Sequence, residues 1–71
     1  MIKFTLKTNT IELCKLLKAV NLVGSGGEGK EVISQGYVKV DGILETRKRC
    51  QIHAGQNVLF NEETICVIHK D

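Results

Sequence analysis

The sequence predicts an α+β domain in the order β-α-α-β-β-β-β, with two helices packed on a small, mostly antiparallel sheet. Three observations carry that expectation: apolar/polar alternation near the N-terminus, an amphipathic helical period after it, and a hairpin signal at Asp41-Gly42 that opens a strand-rich second half. In the first strand, Ile2, Phe4 and Leu6 fall on one side and Lys3, Thr5 and Lys7 on the other, the pattern of a half-buried strand. Thr8-Asn9-Thr10 reads as a turn, with Asn9 or Thr10 as the cap of the helix that follows. From Ile11, Leu13, Leu16, Leu17 and Val20 recur at helical spacing, while Glu12, Lys15 and Lys18 take the wetter side. That spacing predicts a helix of about ten residues ending near Asn21.

Residues 24 to 29 hold a glycine cluster, and Ser25 is the natural cap of a second helix running through Gln35, with Val32 and Ile33 as its apolar contact. Gly26, Gly27 and Gly29 each cost that helix up to about 1 kcal/mol relative to Ala, so something must offset them. Gly36 ends the helix in the left-handed position. Tyr37 to Val40 alternates as a strand, Asp41-Gly42 is the turn, and Ile43 to Thr46 is the returning strand. A basic loop follows over residues 46 to 51. Ala54-Gly55-Gln56 and Asn61-Glu62 are turns that bracket a strand from Asn57 to Phe60, and the β-branched run from Thr64 to His69 is the last strand.

These elements fill residues 1–71 as one domain, and a chain of this length buries only roughly 60% of its unfolded surface. Apolar residues make up 42% and charged residues 25%, the balance of a packed domain rather than a disordered one. The net charge of +2 is too small to point to a polyanion by itself, so the placement of the cations matters more than their number. Met1 to Thr10 carries no secretion signal, and the longest unbroken apolar run, Ile65 to Ile68, is far short of a membrane span. The expected location is the cytoplasm, with no membrane partner. The odd set Cys14, Cys50 and Cys66 fits a reducing compartment, where unpaired cysteines act as small hydrophobes, and the expected state is a monomer.

Three motifs point to chemistry that their context does not support. Residues 24 to 30 match both Gly-x-x-x-x-Gly-Lys and Gly-x-Gly-x-x-Gly, yet Glu31 stands where a hydroxyl must reach magnesium, and the chain has no room for a parallel nucleotide-binding sheet. Cys50-x-x-His53 and Cys66-x-x-His69 have the look of a zinc site. The second pair lies in a β-branched run, however, where residues three apart point to opposite faces. Cys50 beside Arg47, Lys48 and Arg49, with His53 as a base, resembles an activated nucleophile but has no third group to orient the histidine. No catalytic site, metal site or cofactor is expected.

The cations concentrate at Lys30, near the glycine-rich helix start, and at Arg47, Lys48 and Arg49, with Lys39 sharing a strand face with Tyr37. A glycine-rich helix start lets a phosphate approach bare backbone N–H groups, where the helix dipole also favours negative charge. Leu13-x-x-Leu16-Leu17, Asn21-Leu22-Val23, Ser25-Gly26-Gly27, Lys30, Gly36-Tyr37-Val38-Lys39-Val40-Asp41-Gly42 and Ile52-x-x-Gly55-x-x-Val58 together resemble the ribosomal-protein S-four RNA-binding domain, the alpha-L fold. Ser25-Gly26-Gly27 and Glu45-Thr46-Arg47-Lys48-Arg49-Cys50 are similar, within it, to the free-standing bacterial YbcJ-type RNA-binding proteins. Two positions depart from the wider pattern: Gly26 where a cation often follows the cap serine, and Gly29 where alanine is usual.

The resemblance implies a module for structured RNA, ribosomal or transfer RNA, acting in translation or in a ribosomal or other RNA–protein assembly. It implies contacts from Ser25, Gly26, Gly27, Lys30, Lys39, Arg47, Lys48 and Arg49. Lys and Arg at fixed separations suit RNA, whose duplex is gripped through phosphates, 2′-hydroxyls and shape. The alternative is a small protein-binding adaptor that uses its edge strands, Ile2 to Leu6 or Thr64 to His69.

Overall fold

The N-terminal strand finds its partner at the far end of the sequence. In the computed structural model, which describes residues 1–69, β1 (Ile2–Leu6) runs parallel to β7 (Glu63–His69), with Ile2 beside Ile65 and Leu6 beside His69. β6 (Asn57–Phe60), β3 (Val38–Val40) and β4 (Ile43–Leu44) extend that sheet by antiparallel pairs, giving the order β1-β7-β6-β3-β4. The alternation of β1 continues across the sheet. Leu6, Val38, Val40, Val58, Ile65 and Val67 enter the core, where α1 (Leu13–Ala19) adds Leu13, Leu16 and Leu17 and α2 (Gly26–Ser34) adds Ile33. The expected arrangement of two helices over a mostly antiparallel sheet is thus the observed one. No helix among the described residues is long and apolar enough to cross a membrane.

Two short strands were not foreseen. β2 (Thr10–Glu12) pairs antiparallel with β5 (Gln51–His53), placing Ile11 opposite the fully buried Ile52. The sequence reading assigns residues 11 and 12 to the helix and Gln51 to the loop. Three residues cannot reveal a strand when their partner is distant in the chain. A hydrogen bond from the Thr10 hydroxyl to the Gln51 side chain, 2.7 Å, closes the same pair.

The expected cap of α1, Asn9 or Thr10, is therefore not its cap. Glu12 occupies that position in an extended conformation and makes no side-chain capping bond. The first helical N–H groups go instead to the chain that follows β4: Leu13 N–H donates to the Cys50 carbonyl at 2.9 Å, and Cys14 N–H to the Lys48 carbonyl at 3.4 Å. An α-helix leaves its first N–H groups without internal partners, and here a distant backbone supplies two acceptors.

The other helix ends follow local rules. Ser25 Oγ accepts the Glu28 N–H at 3.1 Å, while the Glu28 carboxylate accepts the Gly24 N–H at 2.7 Å, a near relative of the reciprocal capping box. Both helices close with the same C-terminal motif. Leu22 N–H reaches the Leu17 carbonyl and Tyr37 N–H the Val32 carbonyl, each at 3.1 Å, around left-handed Asn21 (φ 61°) and Gly36 (φ 86°). Asp41-Gly42 turns the expected hairpin with both residues at positive φ, and β4 stops at Leu44, two residues before the predicted end at Thr46.

Gly29 has a packing role. It is buried, and a Cβ built on it would lie 3.0 Å from the Cys14 carbonyl oxygen and 3.4 Å from Cys14 Cα. The absent side chain lets α2 lie directly on the backbone of α1, which offsets its cost in helix propensity. A branched side chain here must push the helices apart. Gly29→Val is expected to lower stability by about 1–3 kcal/mol, read as a reduced urea midpoint; an unchanged midpoint would mean the two helices separate freely.

Candidate nucleic-acid interface

Cys14 is the point at which the two candidate regions meet. On one side its backbone touches Gly29 of α2, and on the other its N–H binds the Lys48 carbonyl. The glycine-rich start of α2 and the basic loop therefore flank one helix tip, although 18 residues or more separate Lys30 from Lys48 in sequence. Gly26 has open space where a Cβ would be, and the nearest atom to such a position on Gly27 is the Ser25 hydroxyl at 3.8 Å. A ligand oxygen can approach that backbone. Ser25 itself is engaged as the cap, and the Glu28 carboxylate already occupies the Gly24 N–H. Lys30, half-buried, follows Gly29 directly.

The loop cations differ from one another. Glu45 accepts three hydrogen bonds from Arg47, from the backbone N–H, Nε and Nη2, each at 3.0 Å. Arg49 Nε lies 3.9 Å from Glu12, whose other oxygen is 3.6 Å from Lys15 Nζ, a loose surface arrangement. Lys30, Lys39 and Lys48 enter no ion pair among the described residues. An open concavity of about 460 Å³ is lined by Arg47, Arg49, Cys50 and Gln51, beside the start of α1.

Lys39 does not join this group. Val38 and Val40 point into the core under the helices, so Lys39 between them points to the opposite face of the sheet, with Leu44 and Leu59 as its ladder partners. Tyr37 lies just before β3 and lines a shallow notch with Val32, Phe60 and Asn61, of which Lys39 is no part. The structure thus gathers Ser25, Gly26, Gly27, Lys30, Arg47, Lys48 and Arg49 and leaves Lys39 behind the sheet. Of the acids at this tip, Glu45 pairs with Arg47 and Glu12 with Lys15 and Arg49, whereas Glu28 accepts the Gly24 N–H at the helix start. Glu45, two residues from Arg47, and Glu28, three residues after the cap serine, carry local signals of these roles, whereas the approach of Glu12 to Arg49 carries none.

The neighbouring cations do not set the Cys50 pKa. Burial first, and then Glu45, raise it, and Arg47 only partly opposes them. Cys50 is therefore held as the thiol, a poor nucleophile. Cys14 is buried between the helices and Cys66 donates to Asn57 Oδ1 at 3.1 Å. Among the described residues no three Cys, His, Asp or Glu side chains come together.

The model of the S4 domain family matches residues 4–68. Over 58 residues the chain is 50% identical to the YbcJ protein of Escherichia coli (strain K12), covering 82% of this chain and 83% of that one, and the Shigella flexneri protein of the same name matches equally. The solution structure of E. coli YbcJ, described as revealing an alfaL motif involved in RNA-binding, superposes with a TM-score of 0.74 at 48% identity, over 96% of this chain and 87% of that one. The 30S ribosomal protein S4e of Thermoplasma acidophilum superposes with a TM-score of 0.61 over 82% of this chain and 31% of its own; at 21% identity that likeness is one of fold.

The Glu45–Arg47 contact sets a pH expectation. The hydrogen bonds from the Arg47 side chain and backbone hold the Glu45 carboxyl down at about 2, from an ordinary 4.5. A depressed carboxyl contributes its full stabilisation above its unfolded pKa and loses it as pH falls through the folded one. The pair is thus complete above about 4.5 and lost as pH approaches about 2. In a carbon-detected NMR titration the Glu45 carboxyl is expected to move with a midpoint near 2, and Arg47→Ala to return that midpoint toward 4.5. A wild-type midpoint near 4.5 would mean that the pair does not persist in solution.

Proposed function

The chain belongs to the S4 domain family, and we propose that it is an RNA-binding module that grips structured RNA at the shared tip of α1, α2 and the basic loop. The observation that carries this reading is the double contact of Cys14, with Gly29 on one side and Lys48 on the other, which holds the open glycine backbone and the loop cations side by side. E. coli YbcJ, so similar over most of both chains, is described as having a motif involved in RNA-binding, which supports the same role here.

Each part of the tip suits a phosphate backbone. Lys48 and Lys30 serve as point charges, Arg49 offers a planar fork, and the Gly26–Gly27 backbone gives N–H groups at a helix start. Arg47 shares its charge with Glu45 and contributes more through orientation than through charge. RNA duplexes hide their base edges in a deep groove, so a rigid cluster of this kind reads shape and backbone rather than sequence. The ligand class that fits is folded ribosomal or transfer RNA in the cytoplasm, and the context that fits is translation or ribosome assembly.

Three cations outside the tight Glu45 pair, Lys30, Lys48 and the loosely paired Arg49, set the expected salt dependence. The slope of log affinity against log salt, measured with bulk transfer RNA and with a ribosomal RNA hairpin, should be about −2 to −3. Lys48→Ala should weaken binding and make the slope shallower by about 1, whereas Lys39→Ala should leave both unchanged. Salt-independent binding would overturn the electrostatic reading, and a large effect of Lys39→Ala would move the contact to the other face of the sheet.

A further inference from the structure

The Glu45 carboxylate sits beneath the loop rather than on its rim. Its side chain is 15% exposed, against 77% for Arg47, and its backbone N–H is tied to the Val38 carbonyl of β3 at 3.0 Å. From that anchor it takes the Arg47 N–H, Nε and Nη2 together. Arg47 then closes the turn through its carbonyl, which accepts the Cys50 N–H at 3.2 Å, and the same turn presents the Lys48 and Cys50 carbonyls to the start of α1. Glu45 thus joins the sheet through its backbone N–H and Arg47 through its carboxylate, while the loop meets the helix through its own carbonyls. The guanidinium has five N–H donors. Glu45 takes the Nε donor and one on Nη2, and Nη2 also donates to Cys50 Sγ at 3.8 Å, so Nη1 stays available to an acceptor outside.

We infer that Glu45 is a positioning residue for RNA binding: it fixes the turn over residues 45 to 50 and the plane of Arg47, so that Arg47, Lys48 and Arg49 meet the RNA already ordered. The inference rests on the RNA-binding reading and makes a demand that charge alone does not. Removing Glu45 raises the net charge from +2 to +3, which by simple attraction tightens any complex with a polyanion. Loss of preorganisation acts the other way, because each long side chain set loose must be immobilised again on binding.

The test measures affinity for bulk transfer RNA with the whole chain as wild type, Glu45→Gln and Glu45→Ala, at several salt concentrations. Glu45→Gln keeps a carbonyl oxygen for the Arg47 N–H but loses the ion pair, and so stands in should Glu45→Ala fail to fold. The expected order of affinity is wild type, then Glu45→Gln, then Glu45→Ala, with the last about 3- to 10-fold weaker and with no steeper salt slope. On the free proteins, heteronuclear NOE values for residues 46 to 49 should fall in the same order. Equal or tighter binding by Glu45→Ala, with a steeper slope, would overturn the inference and make Glu45 a simple electrostatic mask. Wild type that ignores RNA would overturn the functional reading itself, whereas wild type that binds beside a tighter Glu45→Ala sinks this inference alone.

Discussion

Much of this molecule depends on how the first turn of α1 finds its hydrogen-bond acceptors. A helix of seven residues with no capping side chain is a poor unit by itself. Its leading N–H groups are satisfied by the carbonyls of Cys50 and Lys48, which belong to a segment more than thirty residues further along the chain. The exchange works in both directions. The helix gains its missing acceptors, and the loop gains fixed points beyond those that Glu45 and Arg47 supply. Because the acceptors are main-chain atoms, the side chains of Lys48 and Arg49 stay exposed to solvent.

The second constraint is the close approach of the helices at Gly29. Three glycines in the first turns of α2 are costly as helix formers, and their uses differ. Gly29 is consumed by packing against the Cys14 backbone, whereas Gly26 and Gly27 leave their surroundings open. Close packing and open backbone are therefore divided between neighbouring glycines of one short helix. Cys14 is buried because it stands where both contacts converge, which also accounts for it as a packing residue rather than a reactive one.

Features set by neighbouring residues were legible in the sequence. Ser25 as a cap, Gly36 as a left-handed terminator, the turn at Asp41-Gly42 and the alternation of β1 all depend on contacts within a few positions, and all appear as expected. The pairing of β2 with β5 did not show, because Thr10–Glu12 fits a helical period as well as a strand and its partner lies about forty residues away. The same distance hid the true cap of α1. Lys39 shows a subtler limit. Alternation correctly exposes it, yet alternation alone does not say that the helices cover the other face of the sheet. The clustering of Lys30 with the loop, by contrast, needed the fold, since it passes through Gly29, Cys14 and Lys48.

The parallel pairing of β1 with β7 has a consequence for how the chain comes into being. Ile2 is made well before its ladder partner Ile65, which lies about sixty residues further along the chain. β1, with Phe4 and Leu6 on its inner side, must wait unpaired until β7 has been made. The helices, the loop and the central hairpin draw their contacts from residues already present, and they can gather before it. Closing so long a span comes late and slowly. Lys3 within β1 and Lys7 just beyond it put charge on that edge, which disfavours its pairing with another chain.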